Sequence, residues 1–246
     1  MNNTVIFIPS RLSAKRFPNK PLAKINNIPM IVHVFNKAKE SKIGEVFVVT
    51  PDSEILKIVK DNGGKAILTK GDHQSGSDRI YEAYSKEYKK KADLIINLQG
   101  DMPNIKPSTI SKLASQMRSN KCDIGTLASQ LKDQKEFKNP NVVKVHTEKE
   151  LNVNTFLQVK DFFRERKYLK NEKIYHHIGI YAFTNNALTK YVKLPRSKLE
   201  IKRNLEQMRA MENSFDLKVG LCDSATLGVD TEEDLIKVSK EMNSNE

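Results

Sequence analysis

Hydrophobic positions along the chain alternate between short β-branched runs and helical spacing. Apolar runs at Thr4–Pro9, Glu45–Thr50 and Leu94–Leu98 predict buried strands. Between the first two runs, apolar residues at helical spacing predict a helix from about Met30 to Glu40. A strand every ~25–30 residues with a helix between is typical of βαβ units, so the pattern predicts a doubly wound, mostly parallel sheet flanked by helices.

The same patterns place the remaining elements of the first half. They are the helix Glu54–Asp61 closed by Gly63-Gly64, the strand Ala66–Leu68, a helix from about Ser77 to Lys90, and a helix opened by Pro107. Ligands of such sheets bind at the carboxyl ends of the strands. Residues that follow a strand directly are therefore the first candidates for chemistry.

After Ile124 the rhythm changes. Longer strands are predicted at Ile124–Leu131, Val142–His146 and Ile178–Phe183. We interpret residues 124–195 as a mixed-sheet extension, or lobe, of one α/β domain that spans residues 1–246. The α/β pattern then resumes with a helix near Leu199–Asn213, a strand Leu217–Leu221 and a last helix that starts at Thr231.

Composition narrows the classes of function. The 246 residues are 38% hydrophobic and 29% charged, with a net charge of +12. The lysines are scattered over helical faces apart from the run Lys89-Lys90-Lys91, and no aromatic-studded basic strand or zinc-spaced Cys/His set occurs, so we expect no nucleic-acid partner. No stretch reaches the ~18 apolar residues that cross a bilayer, and the N-terminus has no basic leader. We expect a cytoplasmic protein without membrane insertion.

The loop after the first predicted strand is strongly basic. It carries four cations in ten residues: Arg11, Lys15, Arg16 and Lys20. A triphosphate needs several fixed cations, for which guanidinium groups offer bidentate contacts and a lysine offers a point charge. The loop contains no glycine and is not a Walker loop. We interpret it as a triphosphate-binding loop, with a solvated basic loop as the alternative.

Two acidic residues complement this loop. Asp101 follows the strand Leu94–Leu98 in the sequence Gln99-Gly100-Asp101, and Asp230 lies near the C-terminus before Thr231. Hard divalent cations such as Mg²⁺ are bound by one or two carboxylates together with substrate oxygens. The pair therefore predicts a magnesium site. The competing interpretation makes Asp230 only a cap of the last helix.

Three further segments are less specific. Ser75 and Gly76 would let the backbone approach a flat base closely, or they are a loop and helix cap, and Arg79 could face an acid. Alternation places His177 and Tyr181 on one face of a strand, with one histidine facing substrate beside one structural histidine. Glu206 and Gln207 lie on a predicted amphipathic helix, where such residues are ordinary surface residues.

Taken in order, the motifs resemble the 3-deoxy-manno-octulosonate cytidylyltransferase (CMP-Kdo synthetase) family over nearly the whole chain. The motifs are IPSR at 8–11 with RFPNKPL at 16–22, DHQSGSDR at 72–79, NLQGD at 97–101, NPNVVK at 139–144, HIGIY at 177–181, LEQ at 205–207 and GVDTEEDL at 228–235. The chain departs from the usual family pattern at Met102, at Ser13-Ala14 and over Phe156–Arg166.

The resemblance implies a nucleotide-diphospho-sugar transferase fold, CTP and 3-deoxy-D-manno-octulosonate (Kdo) as substrates, Mg²⁺ as cofactor, a homodimer and a place in lipopolysaccharide biosynthesis. By the same resemblance, CTP is held by Ser10, Arg11, Arg16, Lys20, Ser75 and Gly76. Kdo is held by Arg79, Gln99, His177, Tyr181, Glu206 and Gln207. Asp101 and Asp230 bind the metal and, with Arg16 and Lys20, carry catalysis.

Two alternatives stay open. The first is an enzyme of the same chemistry that activates a related acid, such as an 8-amino Kdo or a nonulosonate, because a few pocket side chains decide the sugar. The second is a basic binding protein that has lost catalysis, against which both aspartates and the full cationic loop speak. Pyrophosphate release with each candidate acid and CTP separates Kdo from the related acids. Salt-dependent retention on nucleic acid without turnover of CTP would support the binding protein.

Overall fold

The computed structural model describes residues 3–13, 16–88, 91–165, 172–223, 226 and 228–244. Predictions that involve Ala14, Lys15, Lys89, Lys90 and Arg166 lie outside these residues. The chain divides into two compact units, Met1–Ser111 with Thr226–Glu246, and Lys112–Ala225. None of the helices in the described ranges has the length and apolar character to cross a membrane.

The strands and helices of the described residues are numbered in chain order. The strands are β1 (Thr4–Pro9), β2 (Lys24–Ile25), β3 (Ile28–Pro29), β4 (Glu45–Thr50), β5 (Ala66–Leu68), β6 (Leu94–Leu98), β7 (Ile124–Ser129), β8 (Lys144–Thr147), β9 (Phe156–Phe163), β10 (Lys173–Thr184) and β11 (Leu217–Leu221). The helices are α1 (Met30–Glu40), α2 (Ser53–Asp61), α3 (Gly76–Glu82), α4 (Pro107–Ser119), α5 (Gln134–Lys138), α6 (Asn185–Tyr191), α7 (Lys198–Arg203), α8 (Met208–Glu212) and α9 (Glu232–Asn243).

The first unit is built on four parallel strands in the order β5-β4-β1-β6. This confirms the predicted doubly wound parallel sheet. The strand β1 is central and buried, and the chain runs to one side of it through β4 and β5 before it returns to the other side as β6. Such a reversal opens a crevice at the carboxyl ends of the two strands that flank it. The segments that follow β1 and β6 therefore leave the sheet at its ligand-binding edge.

Local sequence explains the ends of these elements. Helix α2 ends at Asp61 and is closed by Gly63, whose φ of 73° is in the left-handed region, and by Gly64, whose amide donates to the Val59 carbonyl at 2.8 Å. The predicted glycine closure of this helix is confirmed. Between β2 and β3, Asn26 and Asn27 have φ values of 50° and 64°, the conformation of a tight hairpin turn that asparagine tolerates.

The second unit is a ring of five strands. The order is β10-β7-β11-β9-β8, and β8 also pairs with β10, so the ladder of hydrogen bonds closes on itself. The pairing of β7 with β11 is parallel, while the other pairings are antiparallel. The mixed character predicted for this part of the chain is confirmed. Its strand β9 covers most of the departure from the family pattern over Phe156–Arg166, and sequence patterning did not predict it.

Two predicted helices are wrong in extent. The helix expected over Leu199–Asn213 is broken into α7 and α8, because Asn204 turns the backbone with a left-handed φ of 51°. The helix expected to reach Lys90 is regular only to Glu82, continues as a π-helical stretch to Glu87, and is followed by an extended Tyr88. In both cases the apolar spacing continues past the break, which is why periodicity alone predicts one helix.

Candidate active site

The basic loop after β1 is tied to its surroundings at both ends. The Leu12 amide donates to a carboxylate oxygen of Asp52 at 2.9 Å, and the Asn19 amide donates to the Leu12 carbonyl at 3.1 Å. Asn19 has a φ of 56° and starts a short 3-10 turn at Lys20, whose carbonyl accepts from Ala23 at 3.1 Å. The loop therefore delivers the Lys20 side chain from a fixed backbone position.

Lys20 joins the two predicted metal ligands. Its Nζ lies 2.9 Å from Asp101 Oδ2, 3.5 Å from Asp230 Oδ1 and 2.7 Å from the Val229 carbonyl oxygen. The other carboxylate oxygen of Asp230 lies 2.8 Å from the guanidinium of Arg16. The two aspartates, which are 129 positions apart in the sequence, therefore face each other across a single ammonium group.

The backbone brings these carboxylates together. The Val229 amide donates to the Asp101 carbonyl at 2.9 Å, which fastens the segment before α9 to the turn after β6. Gly100 relieves crowding in this turn, because a Cβ atom there would lie 3.1 Å from the Pro9 carbonyl oxygen and 3.3 Å from Ile31 Cδ1. The glycine of the QGD motif thus lets the turn lie against the end of β1.

The cap of α9 resolves the competing interpretation of Asp230. The Thr231 side chain accepts from the Asp234 amide, and the Asp234 carboxylate accepts from the Thr231 and Asp230 amides, each at 3.1 Å. This is a capping box. Thr231 and Asp234 cap the helix, and the Asp230 carboxylate is directed to Lys20 and Arg16 instead. The interpretation of Asp230 as only a helix cap is wrong.

The oxygen atoms around Lys20 fit a hard divalent cation. Two carboxylates and one backbone carbonyl already surround a positive charge, and these are the oxygen donors that Mg²⁺ accepts. Among the described residues, no group of three or more His, Cys, Asp or Glu side chains could hold a metal. A magnesium ion bound through one or two carboxylates plus substrate phosphates needs no such group.

Ser10 and Arg11 stand at the start of the loop. The Ser10 hydroxyl oxygen is buried and meets no hydrogen-bond partner among the described residues, which is costly unless a ligand supplies one. Arg11 is exposed. The pKa of Arg79 is lowered first by the burial of Arg79 and then by the positive charge of Arg11. These are properties expected of an anion-binding edge.

Ser75 and Gly76 have local roles in the structure. The Ser75 hydroxyl accepts from the Asp78 amide at 3.2 Å and donates to the Asp78 carboxylate at 2.8 Å, so Ser75 is the N-cap of α3. A Cβ atom on Gly76 would lie 3.3 Å from Pro9 Cγ. The small residue therefore lets α3 begin close to the end of β1. A contact with the cytosine base stays a prediction.

Arg79 is buried, with 3% of its surface exposed. Its guanidinium donates to the Thr69 hydroxyl at 2.6 Å and to the carbonyls of Lys70 and Gly71, both at 3.2 Å. The side chain thus holds the turn after β5. The predicted contact between Arg79 and a sugar acid stays a prediction, as does that of Gln99, whose amide donates to Asn97 Oδ1 at 3.4 Å.

In the second unit, β10 brings His177 and Tyr181 together. Their ring centroids are 5.4 Å apart, and the Phe162 ring lies 4.9 Å from that of His177. Burial, followed by the charge of His176, lowers the pKa of His177 to about 3, so the imidazole is neutral near pH 7. The neighbouring His176 instead lies 2.5 Å from a carboxylate oxygen of Glu136, consistent with its predicted structural role.

Glu206 and Gln207 lie in the turn between α7 and α8 rather than on a continuous helix. Burial raises the pKa of Tyr181 and the charge of Glu206 raises it further, so the phenol keeps its proton. Gln207 is 8% exposed. Sequence reasoning did not single out Thr126, whose hydroxyl lies 2.9 Å from His177 Nε2. Only the register of β7 against β10 brings these two residues together, and no motif marks it.

Comparisons with known proteins establish the family of the chain. A family model described as cytidylyltransferase matches residues 5–219. The 3-deoxy-manno-octulosonate cytidylyltransferase of Thermodesulfovibrio yellowstonii is 43% identical, covering 98% of both chains. That of Brucella ovis is 42% identical over 94% of this chain and 92% of the relative. The chain belongs to the 3-deoxy-manno-octulosonate cytidylyltransferase family.

Solved structures extend the family relationship to the fold. A CMP:2-keto-3-deoxy-manno-octonic acid synthetase complexed with CTP has a TM-score of 0.87 and 35% identity, covering 99% of this chain and 100% of that one. A cytidylyltransferase from Leptospira borgpetersenii has a TM-score of 0.63 at 17% identity and shares the fold. The predicted nucleotide-diphospho-sugar transferase type of fold is confirmed, and the chain is a nucleotidyltransferase.

Proposed function

We propose that this chain couples CTP to Kdo and gives CMP-Kdo and pyrophosphate. The observation that carries the proposal is the convergence of Asp101 and Asp230 on Lys20 at the carboxyl edge of a parallel sheet. Family membership supplies the reaction class, and the names of the relatives supply the sugar acid. We further propose that the enzyme is a cytoplasmic homodimer that activates Kdo for lipopolysaccharide biosynthesis.

The reaction is a displacement at phosphorus. The oxygen of the anomeric 2-hydroxyl of Kdo forms a bond to the α-phosphorus of CTP, the bond from that phosphorus to the bridging oxygen of the β-phosphate breaks, and the hydroxyl proton passes to solvent water. Pyrophosphate carries away the electron pair of the broken bond. No covalent intermediate on the protein is needed, so the protein acts by positioning the reactants and stabilising charge.

The basic loop binds the triphosphate. Arg11 and Arg16 are exposed enough to meet an anion, and Lys20 is placed by its fixed backbone. Arg16 and Lys20 form ion pairs with Asp230 and Asp101. Phosphate oxygens would compete for the same cations, which then stabilise the charge that builds on the leaving pyrophosphate.

Asp101 and Asp230 would hold the magnesium ion, together with phosphate oxygens of CTP. When bound, the ion supplies charge neutralisation at the phosphates and lowers the pKa of a coordinated hydroxyl. The protein contributes by keeping the two carboxylates close, through the backbone hydrogen bond from Val229 to Asp101. The capping box at Thr231 frees the Asp230 side chain for this role.

Two sets of residues are proposed to contact the sugar acid, and each set is considered within its own unit. In the first unit we propose Arg79 and Gln99, and in the second His177, Tyr181, Glu206 and Gln207. Neutral His177 and the protonated Tyr181 phenol are hydrogen-bonding groups suited to sugar hydroxyls. These assignments rest on the match of each residue to the family motifs.

Release of pyrophosphate tests the proposal. The purified chain is incubated with CTP, Mg²⁺ and Kdo, and pyrophosphate is counted against parallel reactions that lack one component. We expect release only in the complete mixture, with loss on chelation of the metal. Absence of release from the complete mixture would overturn the proposed function.

The choice of sugar acid needs a separate assay. An 8-amino Kdo and a nonulosonate differ from Kdo in only a few groups, so each is offered with CTP under the same conditions. We expect the largest kcat/KM for Kdo. A larger value for another acid would keep the reaction class and change the substrate.

A further inference from the structure

Thr126 lies on β7 and is fully buried, with three polar atoms around one hydroxyl group. Its Oγ1 is 2.7 Å from the Ile180 carbonyl oxygen, 3.2 Å from the Ile178 carbonyl oxygen and 2.9 Å from His177 Nε2. The register of β10 against β7 shifts between Ile178 and Tyr181, which is where these two carbonyls meet the threonine. The arrangement belongs to the strands themselves and not to a surface loop.

Proton counting fixes the role of each atom. A hydroxyl carries one proton and a carbonyl oxygen can only accept. At 2.7 Å from the Ile180 carbonyl oxygen, a Thr126 hydroxyl that pointed its proton elsewhere would face that oxygen with a lone pair, so the proton is donated to a carbonyl. If His177 Nε2 carried no proton, two lone pairs would face each other across 2.9 Å. His177 Nε2 is therefore the donor and Thr126 Oγ1 the acceptor. This selects one tautomer of the imidazole.

The charge state of His177 completes the argument. Burial first, and then the neighbouring His176, lower the pKa of His177 to about 3. A neutral imidazole has one N–H and one bare nitrogen, so with the proton on Nε2 the other nitrogen, Nδ1, is a hydrogen-bond acceptor. Such a nitrogen accepts from a hydroxyl group and is repelled by a carboxylate.

We propose that Thr126 is a positioning residue that fixes the Nε2–H tautomer of His177, so that Nδ1 accepts a hydrogen bond from a hydroxyl group of the sugar substrate. This rests on the proposed function, in which His177 contacts the sugar acid. It deepens that function by separating the two kinds of group on the sugar. His177 binds a hydroxyl group of the sugar, and other residues bind its carboxylate.

The first test measures the tautomer without any substrate. Nitrogen-15 NMR of histidine-labelled, ligand-free protein distinguishes a protonated from a bare ring nitrogen. We expect His177 to be protonated at Nε2 in the unaltered chain and in Thr126→Ser, which keeps the hydroxyl. In Thr126→Val the donor loses its acceptor, and we expect the Nδ1–H form to appear.

A matched control separates this role from general damage. Thr147 is also fully buried in the second unit, and its hydroxyl donates to the Lys149 carbonyl at 2.8 Å. Thr147→Val removes a comparable buried hydroxyl. We expect it to leave the His177 nitrogen signals unchanged, whatever its effect on stability.

The second test measures kinetics. In Thr126→Val we expect the KM for Kdo to rise about 10-fold, as for a buried hydrogen bond whose partner is removed, with little change in kcat or in the KM for CTP. Thr126→Ser should restore the KM. We do not expect Thr147→Val to raise the KM for Kdo while kcat and the KM for CTP stay unchanged.

The possible outcomes either support or overturn the proposed role of Thr126. His177 protonated at Nδ1 in the unaltered chain overturns the proposal, and so does an unchanged tautomer and KM in Thr126→Val. If Thr126→Val does not fold, the signals of the unaltered chain and of Thr126→Ser still decide, because they need no apolar variant. If the unaltered chain releases no pyrophosphate from CTP and Kdo, the proposed function fails while the tautomer measurement stands.

Discussion

The edge of the first unit, at Asp101 and Asp230, keeps its charged side chains partly exposed, whereas the interior of the second unit holds a charged pair that is buried. At the edge, the Asp101 and Asp230 side chains meet cations while 28% and 33% of their surface stays exposed. In the second unit, Glu200 and Arg209 form a pair with two hydrogen bonds of 2.8 and 2.9 Å, and each side chain is 2% exposed. Exposed ions can exchange partners with a ligand at little cost, and a buried pair cannot. The difference indicates a binding edge in one unit and a rigid support in the other.

The largest expected effect comes from removing a charge at the edge. Asp101→Asn keeps the size of the side chain and abolishes its charge, so the transition state loses several kcal/mol of stabilisation and the rate falls on the order of 10³-fold. Steady-state pyrophosphate release measures this. Asp61→Asn is the control, because Asp61 lies on an exposed helix face and pairs with Lys57. Near-normal turnover of the Asp101 variant would contradict the metal assignment.

The buried pair should control stability instead. Glu200→Gln leaves Arg209 charged and buried, and we expect the free energy of unfolding to fall by about 3–5 kcal/mol. Burial acts to raise the pKa of Glu200, but hydrogen bonds from Arg209 and Arg196 outweigh it and the net pKa is lowered, so the carboxyl is charged near pH 7. Urea denaturation of this variant and of Asp61→Asn gives the contrast. A shift below about 1 kcal/mol would mean that the pair is not a rigid support.

The sequence predicts the edge better than the interior for a physical reason. Strands β1, β4 and β6 have the predicted bounds because a buried parallel strand is a continuous apolar run, and the residues after it share an edge by topology. The position of Asp101 at this edge therefore follows from the sequence alone. The direction of the Asp230 side chain depends on the capping box of Thr231 and Asp234, whose residues can be recognised in the sequence.

Other features of both units depend on partners that sequence patterns do not encode. Arg79 is predicted from sequence as a ligand-binding arginine, and its guanidinium also holds the Thr69 hydroxyl and backbone carbonyls that only the turn after β5 places beside it. Asn204 is an ordinary polar residue on a helical wheel, and its left-handed backbone breaks the predicted helix. Thr126 acts through a register shift between two strands. Each of these depends on the tertiary arrangement rather than on local preference.

The buried histidine gives the interior of the second unit a pH-dependent stability. The folded-state pKa of His177 is about 3, below its ordinary value of 6.5, so below pH 6.5 the unfolded chain binds the extra proton. Stability should therefore fall as pH drops from about 6.5 toward 3, by at most ~1.4 kcal/mol per pH unit from this group. His177→Asn should remove that slope in urea titrations at several pH values. His146→Asn, which keeps His177, should retain it, and an equal slope in both variants would contradict the assignment.

The smallest effect on stability is expected at the most exposed ion pair of the edge. The Arg16 side chain is 55% exposed and its guanidinium lies 2.8 Å from the Asp230 carboxylate. Because water screens such a pair, Arg16→Met should change the free energy of unfolding by no more than about 1 kcal/mol. The same change removes a cation proposed to bind the triphosphate, so the KM for CTP should rise while the KM for Kdo stays near its original value. Lys24→Met, at an exposed lysine of the short hairpin, is the matched control. A large loss of stability in Arg16→Met with an unchanged KM for CTP would reverse the comparison, because the edge would then be a structural support rather than a binding surface.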